Sequence, residues 1–428
     1  MLLRPGHACL LTSQRTQAAR TRPCSHLVAA PTPRKSPVFY GKQEALRGRH
    51  LCSAAQQEEL AVQAAPQKPA FDINEKVKFL KEDLKHLFDG KGIDASAYDD
   101  VVEFRDPITN YNSLSGYLFN IQMLKQVFDP VLELHDIRAI GPYAVLSRWT
   151  MTMDFTPARV LPIPWKPRLM FSGTSTYCFN PANGRINKHI DTWDSINNQE
   201  FFSVEAFADV LRQMTDLAST PDGLEQPQYR VIRRAADYQI RSYDSFVVAQ
   251  TFMDGVKASG STTEPAKFVN PAANGSAAFG TLARYLFGGN ERKESMAMTT
   301  PVFSDTQGNM QFVIEPSKHQ DPSTVPPPQP GVDVTLRKES VGTVAARAFT
   351  GLAFQGEVEE EAKALFAALR RDNVPFDESS GWRLARYNDP GTLPPFRRNE
   401  VMVKLADNYD PVWAPGEVEA FTASFGKQ

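Results

Sequence analysis

The chain has few cysteines and no long apolar run, and each absence excludes a class of protein. The four cysteines among 428 residues are Cys9, Cys24, Cys52 and Cys178. Three of them lie in the first 52 residues, so the rest of the chain has one cysteine, which gives neither an internal disulfide nor metal-ligand spacing. No segment approaches the roughly 18 consecutive apolar residues that a membrane-spanning helix needs. The sequence therefore predicts neither a disulfide scaffold nor a transmembrane protein.

The sequence also lacks the short motifs of several common enzyme classes. It contains no G-x-x-x-x-G-K-[ST] phosphate loop, no G-x-G-x-x-G fingerprint, no H-E-x-x-H zinc motif and no G-x-S-x-G nucleophile elbow. With 47 Lys and Arg against 49 Asp and Glu, the formal net charge is -2. A chain of this charge has no overall attraction for nucleic acid.

Acidic residues are almost absent from the first 50 residues, where Glu44 stands alone against nine Lys and Arg. Ser, Thr, Ala and Pro fill much of the remainder, without a sustained apolar core. This composition predicts an organellar transit peptide over residues 1–52 rather than a secretory signal. A disordered basic tail that binds an acidic partner is the alternative interpretation.

After the presequence, the sequence predicts an α+β protein of two domains. A linker is expected over 53–70, which is rich in Ala and Gln and ends in a proline-containing stretch. Asp72 is predicted to cap the first helix, and Glu75 three residues later matches a capping box. A second helix is predicted from about Leu114 to Phe128, and a series of antiparallel strands follows.

These strands show the period of two that is typical of a sheet with one buried face. In "PYAVLSRWTMTMDF" (142–155) apolar residues alternate with polar ones such as Arg148 and Thr150, which are expected on the exposed face. "LMFSGTSTYCFN" and "GRINKHIDTWD" are predicted as further strands, joined by a tight turn at Asn183-Gly184. We expect this first domain to span residues 71–202.

The second half of the chain contains a weak internal repeat. "YQIRSYDSFVVAQTF" (238–252) resembles "VTLRKESVGTVAARAF" (334–349), and each is followed by an amphipathic helix and another strand. Two β-β-α-β units predict a pseudo-two-fold domain of about eight antiparallel strands with two helices, over residues 225–408. A helix and linker are expected at 203–224, and a C-terminal tail at 409–428.

A Met-x-Met pair, Met296 and Met298, raises the question of a soft-metal site. Copper(I) sites built from thioethers need further Met, Cys or His ligands nearby, and His319 is the only histidine in the second half of the chain. The pair is therefore predicted as core of a strand, with both side chains on one face and Ala297 opposite. No metal ligand is predicted.

The helix before this pair carries a broad apolar stripe, which favours core packing and is also compatible with the wall of a pocket. The apolar members of the stripe are Phe279, Leu282, Ala283, Leu286 and Phe287. Arg284 lies on its flank, where it could meet a carboxylate. Met296 and Met298 would add an adaptable apolar surface beside it.

The segments "YQIRSYDSFVVAQT", "LARYLFGGN", "MAMTTPV" and "RYNDPGTLPPFRRNEVMVKL" together resemble the SOUL heme-binding protein family, over about residues 225–406. The resemblance implies the pseudo-symmetric fold and binding of heme or another tetrapyrrole in a hydrophobic cleft beside the first helix. It maps the ligand onto the stripe residues, with Arg284 for a propionate. No axial histidine matches a fixed position of the family, so reversible binding as a carrier, buffer or sensor is expected.

The first domain is similar to an uncharacterised domain of plastid proteins that resembles the nuclear-transport-factor-2-like cone fold. The similarity lies in "FRDPITNYNSLSGY" and "WKPRLMFSGTSTYCFNPANGRINKHIDTWDS". In plants and algae this domain occurs joined to a SOUL domain, which implies a chloroplast protein, in the stroma or on plastid lipid bodies, with the mitochondrion as the alternative. The implied partners are the tetrapyrrole and, as candidates, enzymes of tetrapyrrole metabolism or plastid lipid bodies.

Two alternatives to a tetrapyrrole-binding protein stay open. In the first, the cone domain is an isomerase- or dehydratase-type enzyme, because His189 and Asp191 share one face of a strand and could form an acid–base pair over a cavity. A polar strand face with a satisfied histidine is the simpler interpretation. In the second, the cleft is degenerate and the chain is an interaction protein of plastid lipid bodies. The Arg105-Asp106-Pro107 cluster is interpreted as a turn with an ion pair.

Overall fold

The computed structural model describes residues 71–160, 165–253, 269–273 and 275–425. The predicted presequence and linker lie outside the described residues. Within them, the helices are α1 (Ile73–Asp83), α2 (Leu114–Val127), α3 (Val204–Thr215), α4 (Ser276–Leu286), α5 (Gln355–Arg371) and α6 (Glu417–Phe425). The strands are β1 (Tyr98–Arg105), β2 (Asn110–Tyr111), β3 (Phe128–Gly141), β4 (Ala144–Phe155), β5 (Arg168–Phe179), β6 (Ile186–Trp193), β7 (Tyr229–Arg234), β8 (Gln239–Tyr243), β9 (Phe246–Phe252), β10 (Val302–Asp305), β11 (Asn309–Val313), β12 (Thr335–Glu339), β13 (Thr343–Phe349), β14 (Trp382–Arg386) and β15 (Asn399–Lys404).

The first sheet lies in the region predicted as a cone-like domain. Its strand order is β2-β1-β6-β5-β4-β3, with β1 and β6 parallel and the other pairs antiparallel. Leu80 of α1 and Tyr117 of α2 belong to one buried cluster with Phe104, Tyr177 and Ile186 of the sheet, so both helices cover the same face. The α+β prediction for this region is confirmed, and β1 and β2 between the two helices were absent from it.

Local sequence accounts for where these helices begin. Asp72 caps α1 by accepting a hydrogen bond from the Asn74 amide (2.9 Å), and Ser113 caps α2 through the Gly116 amide (3.1 Å). In the turn between β5 and β6, Gly184 has φ of 70°, a left-handed conformation that glycine adopts without steric cost. The predicted cap at Asp72 and the predicted turn are confirmed.

The sequence predicts an exposed polar face on β4, and this prediction is wrong for the first part of the strand. Arg148 is 0% exposed and Thr150 is 4% exposed. Thr150 donates to the carbonyl oxygen of Val231 in β7 (2.8 Å), which belongs to the second sheet. Arg148 donates two hydrogen bonds to Asp194 (2.7 and 2.8 Å) and pairs with Glu417 of α6. This face of β4 is therefore a contact surface between the two sheets, and its charge is paired inside it.

The second sheet has nine strands in the order β12-β9-β11-β10-β14-β15-β13-β8-β7, and its pairs are antiparallel. The two repeats are β8-β9-α4-β10-β11 and β12-β13-α5-β14-β15, each with one more strand than the sequence indicates. The pseudo-two-fold prediction is confirmed. The first strand of each repeat pairs with the second strand of the other, β8 with β13 and β12 with β9, so neither repeat completes its sheet alone.

Both faces of this sheet carry a core. Val247 and Ala249 of β9 pack in a cluster with α4, whereas Phe246 and Val248 of the same strand pack in a cluster on the other face, as the period of two requires. Helix α5 covers the other half of the first face with a cluster that includes Leu365. No helix in the described ranges is long and apolar enough to cross a membrane.

Two predicted elements differ from the structure. Met296 and Met298 do not lie in a strand, because β10 begins only at Val302. The chain before it is irregular, and side-chain hydroxyls hold it in place: Thr299 donates to the Val313 carbonyl (2.6 Å) and Thr300 to the Tyr387 carbonyl (2.8 Å).

The predicted C-terminal tail also has ordered structure. It contains α6, and Trp413 just before this helix is 5% exposed. Trp413 packs with Ile140 and Leu146 of the first sheet, so the end of the described chain covers apolar surface on that sheet.

Candidate functional site

The residues predicted to hold a tetrapyrrole divide into a buried and an exposed group. Leu282, Leu286 and Met296 are at most 4% exposed and belong to the cluster between α4 and the sheet. Met298 is half-buried against the same cluster, while Ala297 is exposed, so the two methionines share one side even outside a strand. The three buried side chains form core in this structure and present no surface to a ligand.

The exposed group lies along the outer face of α4. Phe279 is 40% exposed, and Phe287, the residue directly after α4, is 59% exposed; the half-buried Ala283 stands midway between them at four-residue spacing. Gly280 has open space where a Cβ would be, and Arg284 is exposed. We call these five residues the α4 platform.

The loop that carries His319 contacts the methionine segment through Glu315. The buried Glu315 carboxylate accepts hydrogen bonds from the Ala297 amide (3.2 Å) and from Lys318 Nζ (2.6 Å). Nδ1 of His319 lies 3.0 Å from Thr324 Oγ1. Among the residues that the structure describes, no group of three or more His, Cys, Asp or Glu side chains could hold a metal ion.

A polar depression of about 220 Å³ lies on the second sheet, away from α4. Its charged side chains pair with one another: Arg383 donates to Glu339 (3.0 Å), and Arg337 lies 3.3 Å from the same carboxylate. Apolar side chains such as Val341 and Trp382 share the wall with these charged groups, so the wall is not predominantly apolar, as that of a site for a large flat ligand would be.

A cavity of about 70 Å³ lies between the helices and the sheet of the first region. Its apolar walls include Leu87, Ile121, Leu124, Leu134, Trp149 and Trp193. Polar side chains also line it, namely Asp106, Tyr117, Asn120, Ser175, Tyr177, His189 and Asp191. The structure therefore brings the predicted pair, His189 and Asp191, into the wall of a cavity.

Aromatic rings hold His189 on three sides. It is 4% exposed and stacks on Tyr177 with 4.2 Å between ring centroids, while Tyr117 and Phe104 meet it edge-on at 5.4 and 5.1 Å. Its Nε2 lies 2.9 Å from Asp191 Oδ1, within ion-pair distance but outside the angles of a hydrogen bond. Nδ1 has no hydrogen-bond partner among the described residues. The interpretation of a satisfied histidine is therefore wrong.

A chain of hydrogen bonds fixes Asp191 beside this ring. Trp149 Nε1 donates to Ser175 Oγ (2.7 Å), and Ser175 Oγ donates to Asp191 Oδ1 (2.5 Å). An indole N–H can only donate, so Ser175 Oγ accepts from Trp149 and its own hydroxyl proton is free to be donated to Asp191. Asp191 is thereby held as an ionic neighbour of the histidine.

Asp106 also lines this cavity, which its place in the sequence did not indicate. The predicted turn is present: the Asp106 carboxylate accepts hydrogen bonds from the Ile108 amide (2.7 Å), the Thr109 amide (2.5 Å) and the Thr109 hydroxyl (2.7 Å). The predicted ion pair is not found, since no Lys or Arg among the described residues lies within pairing distance of Asp106. Burial raises the pKa of the Asp106 carboxyl to about 6, which the hydrogen bonds only partly oppose.

Comparisons with known proteins assign the two regions separately. Residues 224–404 match the SOUL heme-binding protein family. Residues 74–189 match a family described as an uncharacterized conserved protein (DUF2358). Both resemblances are thereby confirmed, and we call the two regions the SOUL region and the DUF2358 region. No curated protein matches the chain.

Several solved structures are similar to part of the chain at low score. An LEH-like epoxide hydrolase from M. tuberculosis is 16% identical with a TM-score of 0.25, and the match covers 34% of this chain and 95% of that one. An NTF2-like protein of unknown function from Exiguobacterium sp. 255-15 is 14% identical with a TM-score of 0.23, and the match covers 29% of this chain and 98% of that one. TsrD from Streptomyces laurentii is 15% identical with a TM-score of 0.24, and the match covers 33% of this chain and 96% of that one. At such scores these similarities assign no activity to this chain.

Proposed function

We propose that this protein binds heme or a related tetrapyrrole reversibly on the α4 platform, as a carrier, buffer or sensor in a plastid. The SOUL match supports heme or tetrapyrrole binding at the level of the family. The observation that carries the proposal for this chain is the exposed aromatic pair, Phe279 and Phe287, on the helix to which the resemblance maps the ligand.

The shape of the platform suits a flat ring. Between the two phenylalanines stand Gly280, which has no side chain, and Ala283, which has only a methyl group, so no long side chain rises between the two rings. A planar macrocycle that lies on this surface would cover both aromatic rings and remove them from water, at about 25 cal/mol for each Å² of apolar area. Tetrapyrrole binding would thus use apolar surface that the fold leaves exposed.

Arg284 suits the acidic edge of such a ligand. Its guanidinium is exposed on the platform and can donate charge-assisted hydrogen bonds to a propionate. The buried predicted residues, Leu282, Leu286 and Met296, would support the platform from below rather than touch the ring.

The proposal assigns no iron ligand. His319 contacts Thr324, and the described residues hold no cluster of metal-ligating side chains. A bound heme would bring its own iron and its light absorption, while the residues of the platform would hold and orient the ring. Binding through ring and propionate alone is consistent with a reversible exchange.

The plastid part of the proposal has a separate basis. It is supported by the basic, acid-poor composition of residues 1–52. Fusion of this region to a fluorescent protein in a plant cell tests it directly. Accumulation in mitochondria or the cytosol would contradict the plastid assignment and leave the binding proposal intact.

A hemin titration of the full chain, followed by the Soret band, tests the binding proposal. Gly280→Glu covers the platform with a charged side chain, and the open space around Gly280 allows the helix to form. Its matched control is Gly280→Ala, which adds one methyl group. We expect Gly280→Glu to weaken binding about tenfold or more, which is 1.4 kcal/mol, and Gly280→Ala to leave it unchanged. Arg284→Gln should weaken hemin more than a porphyrin without carboxylates.

Hemin also adsorbs to exposed aromatic side chains, so a second control is needed. Phe279 and Phe207 are each 40% exposed, and Phe207 lies on α3, outside the SOUL region. Phe279→Ala should weaken hemin binding while Phe207→Ala should not. An unchanged Soret band for the wild-type chain, or equal losses in the two variants, would overturn the proposal.

A further inference from the structure

The cavity of the DUF2358 region has the lining of a small-ligand site. Its volume of about 70 Å³ is several times the roughly 10–15 Å³ that one water needs. The wall combines large apolar side chains, among them Leu124, Leu134 and Trp193, with a few polar groups. Small-molecule sites show this composition, because apolar walls supply affinity and the few polar groups supply orientation.

His189 supplies an unused polar atom in this wall. The ring is 4% exposed, so water does not solvate it as it would a surface histidine. Nε2 faces the Asp191 carboxylate at 2.9 Å, and a neighbouring negative charge favours the proton on that nitrogen. In the neutral ring Nδ1 then carries a lone pair and is an acceptor, and it has no partner among the described residues. An unpaired buried acceptor destabilises the folded chain, and a donor on a ligand would remove that cost.

The other polar groups define what kind of donor fits. When ionised, the carboxylates of Asp106 and Asp191 only accept hydrogen bonds. Both line the same cavity as His189, and no Lys or Arg is among the cavity's lining residues. An anionic ligand would meet two negative charges and no positive one, whereas a neutral hydroxyl can donate to Nδ1 without repulsion.

We infer that this cavity binds a small, neutral, largely apolar molecule that carries a hydroxyl group, and that the hydroxyl donates to Nδ1 of His189. Tyr177, Tyr117 and Phe104 hold the imidazole in place from three sides, and the Trp149–Ser175–Asp191 chain fixes a carboxylate 2.9 Å from its other nitrogen. The acceptor is thus positioned before the ligand arrives. This site is separate from the α4 platform and does not depend on tetrapyrrole binding.

The choice of probes tests the inference on the wild-type chain. Phenol is neutral and can donate, toluene has the same ring without a donor, and benzoate carries a negative charge. We expect phenol to bind at least about tenfold more tightly than either of the others, measured by ligand-observed NMR on the full chain. Phenol should also shift the ¹⁵N resonance of the His189 Nδ1, because that nitrogen gains a hydrogen bond.

Variants separate the site from adventitious binding. His189→Phe keeps an aromatic ring between Tyr177 and Tyr117 but removes the acceptor, and it should weaken phenol about tenfold without weakening toluene. His319→Gln in the SOUL region is the histidine control and should change neither. Leu124→Phe, at a half-buried position of α2, narrows the cavity and should weaken phenol and toluene together.

Three results would overturn the inference. They are equal binding of phenol and toluene, binding of benzoate as tight as that of phenol, and an unmoved Nδ1 resonance at saturating phenol. If His189→Phe does not fold, the probe comparison, the Nδ1 resonance and Leu124→Phe still decide the question.

Discussion

Arg241 and Glu400 form a two-point ion pair inside the SOUL region, with both hydrogen bonds at 2.7 Å and both side chains at most 1% exposed. Arg398 adds two further hydrogen bonds to the same carboxylate (2.6 and 3.0 Å), and the Tyr387 hydroxyl adds another (2.7 Å). Burial alone would raise the pKa of Glu400, but the two guanidinium groups outweigh it and hold that pKa well below its usual range. Arg398 and Glu400 of the segment "RRNEV" (397–401) are thus members of a structural ion cluster.

Glu400→Gln should destabilise the chain strongly. The substitution removes the charge that compensates Arg241 and Arg398 in a buried site, which costs about 3–5 kcal/mol. Chemical denaturation at pH 7 measures the change. The control is Glu360→Gln, which removes the exposed pair with Lys363 and should change the free energy of unfolding by less than about 0.5 kcal/mol. Equal effects of the two substitutions would show that Glu400 does not stabilise the fold through its charge.

Glu417 joins the C-terminal helix to both sheets. Its carboxylate pairs with Arg148 of β4 and Arg233 of β7, and it accepts the Ala414 amide (2.9 Å). Glu417→Ala leaves the fully buried Arg148 with Asp194 as its one remaining ion-pair partner among the described residues, so we expect a loss of about 2–4 kcal/mol in the free energy of unfolding. Glu419→Ala lies on the same helix at an exposed position and should have little effect. A loss shared by both variants would assign the effect to the helix rather than to the ion pairs.

Asp106 should make stability depend on pH in the opposite direction from most carboxylates. Burial raises its pKa from the ordinary 3.8 to about 6, so the folded chain holds this proton more tightly than the unfolded chain. The stabilisation is complete below pH 3.8 and is lost as the pH rises through about 6. Because Asp106 is half-buried, we expect the loss to be about 1–2 kcal/mol.

Asp106→Asn tests this dependence. The amide oxygen can still accept from the Ile108 and Thr109 amides, but the side chain no longer titrates. The difference in unfolding free energy between variant and wild type should therefore shift in favour of the variant from about pH 4.5 to about pH 7.5. A difference that stays constant over this range would contradict the raised pKa.

Features that depend on local chemistry could be predicted from the sequence. The cap at Asp72 and the turn at Gly184 each follow from one or two residues, and the repeat follows from two similar segments. Strand β1 could not be predicted, because a register irregularity between Tyr98 and Glu103 breaks the alternation and leaves Val101 76% exposed. The burial of Arg148 could not be predicted either, since it depends on partners far along the chain, Asp194 and Glu417.

The same distinction applies to the candidate sites. The apolar stripe of α4 is visible in the sequence, but the spacing alone does not decide which side faces the sheet. Tyr285, absent from the predicted stripe, takes a core position at 1% exposure and donates to the Pro326 carbonyl (2.6 Å). Phe287 is largely exposed, while the partly exposed Phe279 meets the buried Phe312 edge-on (5.1 Å between ring centroids). For the cavity, period-two spacing was sufficient to pair His189 with Asp191, whereas Asp106 joins them only through the parallel pairing of β1 with β6.

Two helical glycines should respond to alanine with opposite signs. For Gly280 on the α4 platform, no atom of the described residues lies within 4 Å of the position that a Cβ would occupy, so Gly280→Ala should stabilise the chain by about 0.5–1 kcal/mol through the lower entropy of its unfolded state. Gly116 lies in the first turn of α2, where an added Cβ would stand 2.8 Å from Tyr111 Cδ1 and 3.2 Å from the capping Ser113 Oγ.

Gly116→Ala should therefore destabilise the chain, by about 1–3 kcal/mol, because the methyl group displaces both the tyrosine ring and the cap. Thermal and chemical unfolding of the two variants measure both changes in the same protein. A loss of stability in Gly280→Ala would mean that the surface beside Phe279 is already covered in the folded chain. The platform would then be unavailable to a ligand. Hemin binding of wild-type strength in Gly280→Ala would in that case have to take place at another site.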